Sequence, residues 1–120
     1  MITHKYRAWN IKKKKMIYDP FVYDTNETLA EWSMVRLNEG LKDKRFVFLE
    51  YTGLKDRNNV EIYEGDILEF DREPHKVWYN DASFYANRHS DRQNFLLKTM
   101  YRLSKVIGNI YENPKLLVGR

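Results

Sequence analysis

Residues Tyr51 to Phe70 read Tyr-Thr-Gly-Leu-Lys-Asp-Arg-Asn-Asn-Val-Glu-Ile-Tyr-Glu-Gly-Asp-Ile-Leu-Glu-Phe, and this stretch decides the predicted fold. It reads as a turn, a strand, a second turn and a stronger strand. Gly53 and Gly65 stand where the chain must bend, and the polar run 55–59 between them tolerates left-handed backbone angles. The stretch therefore predicts tight reversals between strands rather than a catalytic loop.

The segments on either side extend this β pattern. Phe46-Val-Phe-Leu49 is continuously apolar and too short for a helix, which predicts a buried strand. Downstream, five strands are predicted: Asp66–Phe70, His75–Tyr79, Ser83–Tyr85, Phe95–Tyr101 and Lys105–Tyr111. Turns are predicted at 71–74 and 80–81, and a polar, mobile loop at 86–94. Asn113-Pro114 opens a helical turn that is predicted to run to Leu117. About five short strands from Asp66 onward indicate a small barrel or meander.

The first part of the chain predicts a hairpin followed by a helix. Residues 5–9 alternate like a strand, Asn10 opens a turn, and residues 16–18 resume an apolar run after the lysines at 12–15. Four lysines at a hairpin tip are typical of a solvated loop, with a phosphate-binding patch as the alternative. Thr28 and Glu31 form a capping box for a helix near residues 28–39, whose apolar face is expected to dock on a sheet or, alternatively, on a partner.

Length and composition favour one soluble domain. A chain of 120 residues is expected to form a single domain, with the hairpin and helix in residues 1–45 and the barrel part in residues 46–120. The absence of cysteine excludes disulfides and thiolate metal sites and fits a reducing cytoplasm. Neither a signal peptide nor a membrane-spanning run is recognisable.

The charge pattern leaves two interpretations open. The net charge is +4, with ten basic and seven acidic residues in 1–50, three and seven in 51–75, and eight and three in 76–120. If the fold segregates these charges, one face attracts polyanions; if it interleaves them, they only keep the protein in solution.

Motifs for catalysis or metal binding are weak. His4, His75 and His89 are far apart, and no phosphate-binding, nucleophile-elbow or dinucleotide motif occurs, so neither a metal nor a cofactor is expected. The acidic group Asp56, Glu61, Glu64 and Asp66 could supply a carboxylate pair, although carboxylates beside turns more often bind backbone amides.

Basic and aromatic residues interleave in the last third of the chain. Single-stranded nucleic-acid binders combine rings that stack on bases with cations that bind phosphates, although strand periodicity alone also produces such a pattern. The candidate contacts for a nucleic acid or another partner are Lys76, Trp78, Tyr85, Arg88, Arg92, Lys98 and Arg102.

Three blocks of the chain resemble the YopX family of temperate-phage and prophage proteins. They are residues 5–10, residues 51–70 and residues 106–114 with Leu116-Leu117. The sequence departs from the family pattern at Asn10, where Asp is usual, and at Asn58-Asn59, where Asn-Gly is usual, and the segment 28–39 lies outside the blocks. The resemblance implies a mainly β (α+β) fold with a small SH3-like barrel, a phage-derived protein in a bacterial host cytoplasm, and self-association, without any activity or cofactor.

Three hypotheses for function follow. The first is a non-enzymatic phage accessory module that binds a protein or assembles with itself as a homo-oligomer. The alternative is a nucleic-acid-binding protein that uses the basic, aromatic C-terminal third. The third is an enzyme that uses the carboxylates between Asp56 and Asp66, which requires two of them to converge in a cleft.

Overall fold

A computed structural model describes residues 5–18 and 44–117. Strands make up 56% of these residues and the only α-helix among them is short, which confirms the predicted mainly β class. The chain divides into two compact units, residues 1–50 and residues 51–120. The helix predicted near residues 28–39 lies outside the described residues.

The first unit contains the predicted hairpin. Strands β1 (Tyr6–Asn10) and β2 (Lys15–Tyr18) are antiparallel, and the first half of β3 (Phe46–Lys55) pairs with the other edge of β1. Asn10 closes the turn because its side chain accepts a hydrogen bond from the Lys13 amide at 3.0 Å. The lysines at 12–15 are exposed, as expected for a hairpin tip.

The second unit is organised around a five-stranded antiparallel sheet that curls into half a barrel. Its strands are β5 (Asp66–Phe70), β6 (Glu73–Asn80), β7 (Ser83–Arg88), β8 (Asn94–Leu96) and β9 (Lys105–Asn109), in the order β8-β7-β6-β5-β9. The structure therefore has five strands from Asp66 onward, the number that the sequence predicted, although some of their bounds differ. The second half of β3 forms a separate hairpin with β4 (Glu61–Tyr63).

Two-residue turns join β5 to β6 and β6 to β7. Both central residues have positive φ angles in each turn, 54° and 65° at Asp71-Arg72 and 50° and 66° at Asp81-Ala82. Such backbone angles match the twist of the flanking strands, which explains the tight antiparallel pairing.

The core of the second unit lies on the concave side of the sheet. It consists of the buried residues Ile62, Leu68, Val77, Ala86, Leu97 and Met100. Leu97 and Met100 belong to the helix α1 (Leu97–Met100), which continues as a 3-10 turn (Tyr101–Leu103). A second 3-10 turn, Pro114–Leu117, confirms the helical turn predicted after Asn113.

Four local predictions are wrong. Gly53 lies inside β3 at a bulge with φ of 85° and does not reverse the chain. Glu73 and Pro74 begin β6 instead of completing the preceding turn. Residues 86–88 and 94 belong to strands, so the predicted loop 86–94 shrinks to five residues. The strand predicted over residues 95–101 stops at Leu96, because Leu97 and Met100 bury one face of a helical turn.

Candidate functional site

The polar residues of the central stretch stabilise backbone turns. Asp56 is 6% exposed, and its Oδ1 accepts hydrogen bonds from the amides of Asn58 at 2.8 Å and Val60 at 2.9 Å. Its Oδ2 accepts a third from the amide of Val106 at 2.8 Å, fifty residues away in β9. Asp56 therefore fastens the β3–β4 hairpin to the edge strand of the five-stranded sheet.

The Tyr63–Asp66 turn is held in the same way. The Asp66 carboxylate, 1% exposed, accepts a hydrogen bond from the Tyr63 amide at 2.8 Å. Gly65 has φ of 88°, donates its amide to the Val77 carbonyl and accepts a bond from the Ile110 amide, each at 2.9 Å. Asp56 and Asp66 thus each bind backbone amides, which is the structural role that the sequence favoured over a carboxylate pair.

The residues that follow β9 form a turn held by side-chain hydrogen bonds. Asn109 accepts hydrogen bonds from the amides of Tyr111 and Glu112, and the Asn113 side chain accepts one from the Asn109 amide at 3.1 Å. A Cβ atom at Gly108 would lie only 2.6 Å from Asn113 Oδ1, so any other residue here would displace the Asn113 side chain. Among residues 5–18 and 44–117, no group of three or more metal-binding side chains is placed to hold an ion.

The register of β6, β7 and β8 assembles part of the basic and aromatic set on the outer face of the sheet. Trp78 lies directly opposite Tyr85, and Lys76 lies directly opposite Asn87, which in turn lies opposite Asn94. Because side chains alternate between the two faces of a strand, all five point away from the buried Val77 and Ala86. We call this surface the indole platform: Lys76, Trp78, Tyr85, Asn87 and Asn94.

The Trp78 side chain lies across the sheet. Its indole Nε1 donates a hydrogen bond to Asn94 Oδ1 at 3.1 Å, although Trp78 is on β6 and Asn94 is on β8. Neighbouring strands are about 4.8 Å apart, so the two side chains together bridge the roughly 10 Å between β6 and β8 and pass over β7. The Tyr85 ring lies 5.9 Å from the indole at 40°, and both rings stay half-buried. Part of the indole surface is therefore accessible to solvent on the outer face of the sheet.

The two amide side chains of the platform have fixed orientations. An indole N–H can only donate, so Asn94 must turn its oxygen toward Trp78. The Asn87 amide nitrogen donates to that same oxygen at 2.7 Å and to the Arg92 carbonyl at 3.0 Å. Asn87 Oδ1 and Asn94 Nδ2 consequently face away from this network, and no described residue bonds to either atom.

The platform carries the positive charge of Lys76 and adjoins the loop that contains Arg92. Among the described residues, no carboxylate lies within ion-pair distance of Lys76. Arg92 is exposed in the β7–β8 loop, and the bond from Asn87 to its carbonyl places its backbone beside the platform.

Arg88 lies on the opposite face of β7 and serves the fold. Its guanidinium packs over the Phe95 ring at 5.6 Å and binds the Asp91 carboxylate through two hydrogen bonds of 2.9 and 2.7 Å. These bonds lower the pKa of Asp91 to about 2. Arg88 therefore stabilises the loop before β8, and its guanidinium does not lie on the indole platform.

His75 is buried beside Arg88, between two rings. It is 0% exposed, its Nδ1 lies 2.9 Å from the Glu73 carbonyl, and its ring centroid lies 5.4 Å from Phe70 and 5.7 Å from Phe95. Nδ1 must carry the proton to bond a carbonyl, which leaves Nε2 as an acceptor with no partner among the described residues. Burial lowers the pKa of His75, so the neutral ring is favoured.

The last two predicted contacts lie apart from the platform in the chain. Lys98 and Arg102 are exposed on the helical segment 97–103, where the Arg102 guanidinium packs over the Tyr101 ring at 5.4 Å. The structure thus brings together Lys76, Trp78, Tyr85 and the loop of Arg92. It adds Asn87 and Asn94, which the sequence analysis missed because single amides in a polar segment carry no signal of their own.

No α-helix in residues 5–18 and 44–117 combines the length and the apolar character that a membrane span requires. A comparison with curated proteins gives no significant match. Among solved structures, the chain is similar to protein EF1440 from Enterococcus faecalis, with a TM-score of 0.66 and 28% sequence identity over 98% of this chain and 99% of that one.

The YopX protein family model matches residues 5–118, and this range includes all three blocks on which the resemblance rested. Since the match covers nearly the whole chain, the protein belongs to the YopX family.

Proposed function

We propose that this YopX protein is a non-enzymatic binding module, an accessory protein of a temperate phage or prophage that works in the cytoplasm of its bacterial host. Its contact surface is the indole platform. The observation that carries this proposal is the half-buried Trp78 indole, which its hydrogen bond to Asn94 fixes on the outer face of the sheet. A pre-positioned ring loses little conformational entropy on binding and offers a large contact area.

The use of the central carboxylates supports a non-enzymatic role. Asp56 and Asp66 are buried and each accepts bonds from backbone amides. Carboxylate oxygens that face backbone amides in this way are not directed at a substrate, which supports a binding role over acid–base catalysis.

The partner classes are a nucleic acid, another protein and a second copy of the chain. Homodimer interfaces have apolar centres with few charged groups. The platform instead places Lys76, Asn87 and Asn94 beside its two rings, so its chemistry favours a polar partner over a second copy.

Site-specific crosslinking tests the surface itself. A photoreactive phenylalanine replaces Lys76 on the platform or, as the matched control, Lys98 on the exposed helical segment, in the full-length protein expressed in bacteria. We expect adducts from position 76 that disappear when Trp78→Ala is added, and fewer from position 98. Equal adducts at both positions, or none at position 76, would contradict the proposal.

Self-association is tested separately by light scattering over a range of protein concentrations. A mass of one chain throughout removes the second copy from the partner classes. A dimer that Trp78→Ala dissociates would instead make the platform a homo-oligomer interface.

A further inference from the structure

We infer that the indole platform binds an unpaired nucleobase of a single-stranded nucleic acid. The base stacks on the Trp78 indole, its edge bonds to Asn87 and Asn94, and the adjoining phosphate contacts Lys76 or Arg92. This inference rests on the proposed function and adds the chemical class of the ligand.

The stacking surface is the first argument. The indole reaches from β6 to Asn94 on β8, and the Tyr85 ring lies 5.9 Å away at an angle of 40°. Aromatic side chains on the open face of a sheet accept bases because every base has a flat π surface. Because the two rings are tilted by 40°, they do not form one continuous plane, so a base that stacks on the indole does not stack on Tyr85 in parallel at the same time.

The free polar atoms are the second argument. Asn87 Oδ1 is an acceptor and Asn94 Nδ2 is a donor, and the bonds that Trp78 and Arg92 make fix which atom of each amide points outward. Every nucleobase carries both donors and acceptors on its Watson–Crick edge. The platform therefore offers a complementary pair next to the stacking surface without having to reorganise.

The distribution of charge is the third argument. Lys76 lies two residues from Trp78 on the same face of β6, and among the described residues it has no carboxylate partner. The backbone of Arg92 lies beside Asn87. The acidic side chain of Asp91 in the same loop is bound by Arg88 on the other face. Cations without partners beside a ring favour a phosphate-linked ligand over a neutral sugar chain.

A base reaches a ring on an open sheet only when it is neither paired nor stacked in a helix. Duplex recognition works differently, because an α-helix or a two-stranded ribbon enters a groove to read base edges. The platform is instead the outer face of a three-strand segment of sheet that carries two rings, so single strands are the expected ligand.

The experiment measures fluorescence anisotropy of labelled ten-nucleotide homopolymers, DNA and RNA, with the full-length protein at 50 to 200 mM salt. Trp78→Ala is expected to weaken binding roughly 5- to 150-fold, the range that the loss of one base–aromatic stack gives. Trp78→Phe keeps a ring and should retain most of the affinity. Circular dichroism confirms that each variant is folded.

Two further variants separate the roles of the polar groups. Asn94→Asp keeps the oxygen that Trp78 and Asn87 need but removes the outward donor and adds a negative charge, so it should abolish binding in a folded protein. Lys76→Ala should reduce the slope of log affinity against log salt by about 0.7, the value for one phosphate contact on a single strand. Lys98→Ala removes the same charge elsewhere and should leave the slope unchanged.

The outcomes distinguish this inference from the proposed function. If no oligonucleotide binds at 50 mM salt while crosslinks persist at position 76, the ligand class is wrong and the contact surface stands. If crosslinks are also absent, both fail. Binding that is indifferent to Trp78→Ala, equal affinity for a duplex, or Trp78-dependent binding of neutral maltohexaose instead would each overturn the nucleobase assignment.

Discussion

Replacing Asp56 by asparagine should destabilise the protein because its carboxylate accepts three backbone amides. Oδ1 serves the amides of Asn58 and Val60, and Oδ2 serves that of Val106. Asparagine can keep the first two bonds, but its NH₂ group then faces the Val106 amide, donor against donor. A bond to a charged acceptor contributes about 1.5–3 kcal/mol, and an unsatisfied buried donor costs about 1–3 kcal/mol.

We therefore expect Asp56→Asn to lower the free energy of unfolding by about 3 kcal/mol. Asp56→Ala should lower the free energy of unfolding by about 4 kcal/mol, because it removes all three hydrogen bonds. The expected loss is no larger because water can reach the exposed Asn58 and Val60 and bind their amides. Urea unfolding followed by circular dichroism measures both values. With a slope near 2 kcal/mol per molar, Asp56→Asn should lower the midpoint by about 1.5 M.

The matched control is Asp81→Asn. It makes the same change of charge at an exposed turn residue whose φ of 50° asparagine tolerates. We expect it to stay within about 0.5 kcal/mol of the parent protein. If Asp56→Asn proves equally mild, the carboxylate does not fasten the hairpin to β9 and the reasoning fails. Hydrogen exchange at the Val106 amide gives a second readout, since protection there should drop in Asp56→Asn before global unfolding.

Three more predictions concern the same unit. Gly108→Ala would place a Cβ 2.6 Å from Asn113 Oδ1, so it should lower the free energy of unfolding by about 1–3 kcal/mol in thermal unfolding. Adding Asn113→Ala should restore part of this loss. An unchanged midpoint would refute the close approach. Because the folded protein lowers the pKa of His75, the unfolded chain binds the proton first, so stability should fall as pH drops below about 6.5. His75→Gln should flatten this pH dependence in urea titrations, and an identical pH profile would count against it. The Asp91 carboxyl should titrate in NMR spectra at about 2 and move toward its ordinary value in Arg88→Gln; a value that stays low would show that another group is responsible.

The sequence predicted elements best where local pattern and side-chain chemistry agree. Alternation in residues 5–9 and the turn former Asn10 gave the first hairpin, and the strand at Asp66–Phe70 lies where the apolar run placed it. The turn predicted at Gly53 was wrong because a glycine with positive φ occurs in β-bulges as well as in turns, and the sequence alone does not distinguish the two.

The remaining errors arise from tertiary context. Leu97 and Met100 suit a strand by composition, but the core takes them up as one face of a helical turn. Residues 86–88 look like a loop because Asn87 and Arg88 are polar, but Asn87 lies on the outer face of the sheet and Arg88 packs over Phe95 on the other face.

The candidate site was only half visible for the same reason. The sequence showed that Lys76, Trp78 and Tyr85 supply a cation and two rings, but their proximity to Asn94 depends on the register of three strands. That register is set by long-range packing and cannot be read from spacing. Arg88 illustrates the converse, since a one-residue step along β7 moves its side chain to the other face.

The strand order β8-β7-β6-β5-β9 also has a consequence for the folding kinetics. Strands β5 to β8 are neighbours in sequence, so they can pair through local contacts. Strand β9 is separated from β5 by about 35 residues, so their pairing carries an additional loop-closure cost. We expect the four-stranded meander to be structured in the folding transition state and β9 to dock afterwards. Asp56→Asn, which weakens that last closure, should then accelerate unfolding while leaving the refolding rate nearly unchanged.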